Sequence, residues 1–475
     1  MFRKQKQMLL LTGIFLLGTI FVQAQEPLKL SLQEALKMAL QNNTTILNSE
    51  LDLKMAQKKI WETTASGLPH IDVKGSYQHI FKVPTLSFPG TALSNTEEPF
   101  DETTGTGTVS SVTLNDGETI YMNMTPGTEI PLGSKNTTTF DFTASQLIFS
   151  GSYLVGLQAS KVYFGLSKQN AEKSKLDVIE TVINTYNMIK VAEESRIILK
   201  QNLENIDKTL YEVSEMNKQG FVEKTDVDQL ELTANTIKNA VNQIDSNLDM
   251  GYRLLKIQLG MDETAKIELS DPLETDQELT TASLQLVSEP FSLERNVDYQ
   301  LIQTYEKAAQ LELKLAKSGY LPTIAGFYNH TEKINAPAFD FAPRDLVGVS
   351  LNLPIFSSGE RMAGVSQKRF SLEKSQNTRK YVSRNLQMQA IQYQNNLKLK
   401  LEIYQNQKKS KELSDVIYQR TLEKYKQGMA SSMDLMTTQN QYLTNLTNYY
   451  QSVFELQSSK SQLKKLYNIN QELTK

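Results

Sequence analysis

Two long intervals of this chain, Gly151 to Gly220 and Gly359 to Gly428, contain no proline and are rich in Lys, Glu, Gln and Leu. Read as continuous α-helix at 1.5 Å per residue, each spans about 100 Å, whereas helices of ordinary globular domains run about 8–20 residues. Apolar residues Leu199, Leu203, Ile206, Leu210 and Val213 step by four and three in alternation, as do Tyr442, Leu446, Tyr449, Val453 and Leu456. That is the 3.5-residue period of a coiled-coil seam. The remaining surface is largely Asn, Gln, Ser and Lys. Rods with one narrow apolar stripe must pack sideways into a larger assembly.

The chain also repeats itself. Helical text ends at Gly67-Leu68-Pro69 and again at Gly319-Tyr320-Leu321-Pro322. Extended stretches come next, near 71–81 and 138–149 in one half and near 323–331 and 346–356 in the other. The second of each pair closes at Ile148-Phe149-Ser150-Gly151 or at Ile355-Phe356-Ser357-Ser358-Gly359. Gly151 and Gly359 are 208 positions apart, as are Gly220 and Gly428, and Asp226 and Asp434. A fixed order at a fixed offset marks an internal repeat. Shorter helices are expected over Leu32–Ser66, Glu223–Leu259, Ser292–Ser318 and Ser431–Leu466, two of them laid end to end matching one long rod. Residues 261–291 hold Pro272, Pro290 and an acidic cluster, and read either as a small equatorial insertion on the helical cylinder or as a plain linker.

The extended segments alternate with period two. From Val347 to Ile355, one face is Val, Val, Leu, Leu, Ile and the other Gly, Ser, Asn, Pro. Ile71 to Gln78 alternates similarly, and Phe140 and Phe142 flank Asp141. Apolar-out, polar-in strands are the pattern of an outer-membrane barrel, with Tyr77, Phe81, Phe149, Phe327, Tyr328 and Phe356 as candidate interfacial girdles. A soluble β-domain capping a coiled coil reads the same way. Between Phe81 and Thr138 lies a long polar loop with a hairpin cue at Asn115-Asp116-Gly117. Four strands cannot close around a lumen, so several chains must share a barrel, and three would give twelve strands.

Composition removes most other chemistry. With no cysteine, disulfides, thiolate metal sites, a Cys nucleophile and a lipidated N-terminal Cys are excluded. His70, His79 and His330 are too scattered for a zinc motif. Fifty basic against 53 acidic residues leave a formal charge of −3, which argues against nucleic-acid binding through a bulk basic surface. No Ser/His/Asp order, metal spacing or phosphate loop stands out, so neither an enzyme nor a cofactor is expected. Arg3, Lys4 and Lys6 precede an apolar run from Met8 to Val22 and a Val22-Gln23-Ala24 site. This predicts a secretory signal over residues 1–24, the competing reading being a membrane anchor. Beyond Ala24 no run of 18 apolar residues remains, so any membrane passage must use strands.

The two-fold repeat, the Leu-Pro entries, the Ser-Gly exits into long helices, the Gly turns with an Asp soon after, and the opening Leu32-x-x-Ala35-Leu36-x-x-Ala39-Leu40-x-Asn42-Asn43 together resemble the TolC family of outer membrane efflux proteins. The resemblance covers about Leu30 to Leu466, with one repeat at 25–260 and the other at 292–475. It implies a mainly α protein with a membrane β part. A long periplasmic α-helical barrel would carry four strands per chain into a trimeric 12-stranded outer-membrane β-barrel. It further implies a homotrimer in outer-membrane lipid, partnered by a periplasmic adaptor and an inner-membrane pump, conducting substrates passively.

Carried over residue by residue, the resemblance assigns adaptor docking to Gly220, Phe221 and Val222 and to Gly428, Met429 and Ala430. An ordinary helix-turn glycine is the plain alternative. It assigns the periplasmic entrance constriction to Asp434, Asp226, Tyr425 and Thr437, with Asp226 as a possible partner of Tyr425. Three Asp434 carboxylates in a ring would favour cations and raise one another's pKa, while a lone Asp434 would simply complement the helix dipole. Thr437 stands where the family has a second Asp, and Ala430 where it has an Arg, so any closed-state network here differs from the family's. The other class of function, an exported trimeric coiled-coil stalk or adhesin with a β tip, explains the seams but not four strands placed between helices in two matched copies.

Overall fold

The computed structural model describes residues 28–469 apart from 104–105, 115–116, 132, 337–339 and 341, with backbone alone at 87–89 and 126–131. The expected signal at 1–24 lies outside the described residues. Two compact units emerge: a helical one from the described residues up to 57, 162–310 and 370 onward, and a sheet unit from 58–161 and 311–369.

Two helices run unbroken, α3 over Gly151–Lys218 and α7 over Glu360–Lys426, at 68 and 67 residues. Each leads through a tight turn into a 36-residue return helix, α4 over Lys224–Leu259 and α8 over Ser432–Tyr467. Both ends of α8 lie 208 positions beyond those of α4. Their left-handed C-caps, Gly260 (φ 65°) and Asn468 (φ 56°), keep the same offset. The two seams form the middle of one core. Leu199, Ile206 and Val213 of α3 and Tyr442, Leu446, Val453 and Leu456 of α8 are buried in it, joined by Leu397, Tyr404 and Tyr418 of α7. Tyr418 stacks on Tyr442 with ring centroids 5.6 Å apart and planes 5° from parallel.

The N-terminal helix is not continuous. It divides into α1 (Leu32–Asn42) and α2 (Thr44–Ala65), because Asn43 turns extended (ψ 128°) and caps the second piece. Its Oδ1 accepts from Thr45 N–H at 2.8 Å, and its Nδ2 donates to the Gln258 carbonyl, at the C-terminal end of α4, at 2.7 Å. The other half builds the same clasp. The expected Ser292–Ser318 helix starts late, as α6 (Val297–Ser318), after a 3₁₀ turn at Leu293–Arg295. Asn296 caps Tyr299 N–H at 3.0 Å and donates to the Leu466 carbonyl at 2.9 Å. One asparagine thus satisfies a free donor of the helix it starts and a free carbonyl of the helix it meets. A short helix is in this way laid end to end with a return helix.

Residues 261–291 contain a short strand and a helix. Strand β7 (Ile267–Leu269) pairs in parallel with β1 (Leu28–Leu30), and α5 (Asp276–Ser288) comes after it. Both α1 and α5 begin with a capping box, Ser31 with Glu34 and Thr275 with Glu278. Around α1, Leu30, Leu36, Ile46, Tyr186, Leu255 and Leu269 form a second core, whereas Leu279 and Leu286 of α5 join the first.

In the sheet unit, β2 (His70–His79), β6 (Asn136–Ser150), β8 (Thr323–Ile334) and β9 (Asp345–Asn352) pair antiparallel in the order β2-β6-β8-β9. Register places Ile71, Val73, Tyr77, Phe140, Phe142, Tyr328, Val347, Val349 and Leu351 on one face, all exposed, Ile71 and Val347 by nearly four-fifths. The opposite face is polar and internally bonded: Ser76 to Thr139 (2.7 Å), Thr143 to Asn329 (2.7 Å) and Thr331 to Asp141 (2.6 Å). Phe327, expected at a girdle, lies on this polar face, against Gly348 of the neighbouring strand. Strand β9 stops at Asn352 rather than 356, since Pro354 has no N–H to donate. The loop between Phe81 and Thr138 is itself a sheet, β3 (Thr85–Ser94), β5 (Thr119–Pro131) and β4 (Gly107–Thr113) in that order, with Thr113 opposite Thr119 at the expected hairpin. Among the described residues no helix is long and apolar enough to cross a membrane.

Candidate functional site at the helix turns

The helical unit carries the two turns. Helices α3 and α7 end in Lys218 and Lys426, cations that suit a helix C-terminus. In each, a glycine then takes the left-handed conformation, Gly220 at φ 79° and Gly428 at φ 70°. Gly220 N–H bonds Asn217 O at 2.9 Å, and Phe221 N–H reaches back to Met216 O at 3.0 Å. Gly428 N–H bonds Tyr425 O, and Met429 N–H reaches Lys424 O at 2.8 Å. This is the Schellman arrangement, and the backbone angle alone explains both glycines. A Cβ at either would meet nothing within 4 Å, so within the chain neither serves a close approach.

The residues after the glycines part ways. Phe221 (78% exposed) and Met429 (65%) present apolar side chains to the surroundings. Val222 turns inward against the core, and its carbonyl accepts from Asn217 Nδ2 at 2.7 Å. Ala430 is half-buried.

Ser431 is the N-cap of α8 and forms a capping box with Asp434. Ser431 Oγ donates to the Asp434 carboxylate at 2.7 Å, and Asp434 N–H donates to Ser431 Oγ at 3.1 Å. The hydrogen bonds from the Ser431 side chain and backbone hold the Asp434 carboxyl below the usual aspartate range. In the chain by itself, then, Asp434 is a first-turn helix acid; a rise from like charges requires neighbouring copies. Thr437 is exposed and its hydroxyl donates to Met433 O at 2.8 Å.

Asp226, in the first turn of α4, accepts a hydrogen bond from the Ser432 hydroxyl rather than pairing with Tyr425. Tyr425 is half-buried against the core, and burial, then the charge of Asp226, pushes its phenol up. The fold therefore brings Asp226, Ser432 and Tyr425 together, while Asp434 and Thr437 bond within their own helix. Ser431 and Ser432 were not singled out from sequence, though Ser-x-x-Asp before an apolar run is a helix-start signal. Among the described residues no group of three or more His, Asp or Glu is placed to hold a metal ion.

An unbroken pair of rods with paired turns, and a four-stranded sheet that is apolar on one side and polar on the other, define the class: the fold of outer-membrane channels. Over 93% of this chain and 95% of theirs, it superposes on the outer membrane protein VceC of Vibrio cholerae with a TM-score of 0.66 at 14% identity. For the CmeC outer membrane channel of Campylobacter jejuni the values are 93% and 89%, 0.68 and 17%. For the MtrE outer membrane channel of Neisseria gonorrhoeae, solved in its open state, they are 92% and 88%, 0.65 and 14%. No curated protein sequence shows a significant match. Residues 291–468 match the family model described as outer membrane efflux protein.

Proposed function

We propose that this protein is the outer-membrane channel component of a tripartite efflux or type I secretion system, a passive conduit from periplasm to exterior. The observation that carries the reading is the four-stranded sheet: exposed and apolar on one face, hydrogen-bonded and polar on the other, with β2 and β9 each paired on one side only. Such a sheet suits lipid outside and water inside, and its free edges need partners. Three copies supply twelve strands and close the barrel, so the assembly is a homotrimer in which the two halves act as structural repeats. The long helices then form the periplasmic barrel, and residues 261–291 its equatorial insertion.

At the helix turns, Phe221 and Met429 with Gly220 and Gly428 form the surface that meets a periplasmic adaptor, which links the channel to an inner-membrane pump. Asp434, with Asp226, Tyr425 and Thr437, lines the entrance, where a ring of carboxylates favours cations. The stalk or adhesin alternative does not account for an exposed apolar sheet face, which in a soluble tip invites aggregation.

Planar-bilayer conductance of the detergent-purified protein tests the reading. Stable channels of trimer size are expected, with cation preference reduced in Asp434→Ala. A protein that stays monodisperse without detergent and passes no current overturns it; channels indifferent to Asp434→Ala remove only the entrance assignment.

A further inference from the structure

Within the sheet unit, α2 and α6 lead into β2 and β8, while α3 and α7 follow β6 and β9. Antiparallel register therefore puts all four helix ends at one end of the four-stranded sheet. Each helix carries one cation there that is exposed and has no ion pair among the described residues: Lys58 on α2, Lys161 on α3, Lys317 on α6 and Arg369 on α7. Over residues 58–69, 151–161, 311–322 and 353–369, eight Lys or Arg stand against Glu62, Glu312 and Glu360. Two of these acids are already engaged, Glu62 with Lys59 at 2.7 Å and Glu312 with Lys368 at 2.8 Å. Past the other end of the sheet the balance reverses, with seven acids against Lys82 and Lys135 over residues 82–135. The basic excess belongs to the helix end alone.

The free cations are also ordered. Lys58 stands three positions from Trp61, Lys161 seven from Leu154, and Arg369 seven from Met362. Those spacings return to the same side of a helix. In each pair the apolar residue is exposed and nearer the sheet, and the charge lies about 5–10 Å further along the axis. On α6, Lys317 comes just before exposed Tyr320 and Leu321 at the entry to β8. Apolar first, then positive, recurs on every helix that joins the sheet, as a layer and not a patch.

That order matches the edge of a bilayer. Trp and Tyr favour the headgroup depth, and long basic side chains lay their stems on apolar surface while holding the charge in water. Each cation near an anionic bilayer surface strengthens association about fivefold, a gain that uncharged headgroups do not supply. We propose that Lys58, Lys161, Lys317 and Arg369 form a collar that binds anionic phospholipid headgroups in the leaflet on the helix side of the sheet. The collar presupposes the lipid-facing sheet proposed above and adds the class of lipid.

Trp61 is the chain's single tryptophan, so its fluorescence reports from the collar itself. The full-length protein is reconstituted in phosphatidylcholine vesicles holding a minor fraction of labelled lipid, either phosphatidylglycerol or phosphatidylcholine, with a nitroxide quencher near the headgroup end of one acyl chain. Quenching should favour phosphatidylglycerol about fivefold, and high salt should erode the preference. Lys58→Gln combined with Lys161→Gln, Lys317→Gln and Arg369→Gln should bring the two lipids level, and these substitutions delete no ion pair of the fold. Equal quenching by both lipids in the unaltered protein, or a preference unchanged in the variant, overturns the collar. Conducting channels in which neither lipid quenches Trp61 also overturn it, while leaving the channel reading standing. Failure to enter vesicles of either kind strikes the channel reading, and the collar with it.

Discussion

The Ser432 hydroxyl in the first turn of α8 donates a hydrogen bond to the carboxylate of Asp226 in the first turn of α4. Asp226 and Asp434 stand at equivalent positions of the two halves, yet only Asp226 reaches across. The residue at each N-cap decides this. Ser431 offers a hydroxyl that ties Asp434 into a capping box, whereas Glu223 makes no side-chain cap and leaves Asp226 free for another helix.

Ser432→Ala should loosen the turns. A hydrogen bond to a charged group has a net worth of about 1.5–3 kcal/mol when sheltered, and water around the half-buried Asp226 brings this to about 1 kcal/mol. Amide exchange over residues 224–230 and 432–438 should quicken about fivefold. Rates equal to wild type would show that the bond does not hold the turns together.

The capping box gives a pH dependence of known sign. The folded pKa of Asp434 lies below its unfolded value of 3.8, so around that pH the unfolded chain binds more protons and stability rises with pH. The contribution is full above about 3.8 and disappears as pH falls through the folded value. Ser431→Ala should flatten this acid limb in denaturant titrations between about pH 5 and pH 3; an unaltered limb would place the carboxylate outside the box.

The asparagine clasps should be unequal. Loss of an N-cap costs about 0.5–2 kcal/mol, and both Asn43→Ala and Asn296→Ala also strand a helix-end carbonyl. Asn296 is buried, whereas Asn43 is partly open to water that can replace it. Asn296→Ala should therefore lower Tm more than Asn43→Ala, an order that melting in detergent reads directly.

Equivalent C-caps should respond oppositely to exchange. A Cβ at Gly260 would lie 2.4 Å from Asn42 O, besides the φ of 65°. Gly260→Asn should destabilise by about 2 kcal/mol or more, and Asn468→Gly should stay within about 1 kcal/mol. Chemical denaturation of both variants, compared by midpoint, decides the matter.

The two faces of the sheet should differ sharply. Val349→Arg puts a charge on the exposed apolar face and should cost about 2–4 kcal/mol in a bilayer, lowering the folded yield in lipid vesicles. Ser350→Arg, one residue on, should fold normally and shift ion selectivity. Similar yields for both would contradict a lipid-facing side.

Much of this architecture is legible from local pattern. The 3.5-residue seams, the glycines of the turns and the strand alternation are properties of short windows, and the folded chain uses each. What escapes such reading depends on distant partners. Nothing near Asn43 interrupts the helical pattern; the break is stabilised by a carbonyl 215 positions away. Pro89 and Gly90 argue against a strand at 85–94, but a register shift between Phe88 and Gly90 absorbs them. Strand β7 has three residues and exists only because β1 lies beside it. At the turns, the glycines were plain, while the choice of Ser432 over Tyr425 as the partner of Asp226 depends on which helix faces meet.

The asparagine clasps have a bearing on how the protein matures. Residue 43 leaves the ribosome long before Gln258 does, and no local contact can stand in for that carbonyl. Closing so wide a chain loop is entropically slow, so α1 and α2 are expected to dock late, after α4 has found α3. The leading segment of an emerging chain therefore stays unattached until more than half of the 475 residues have been made.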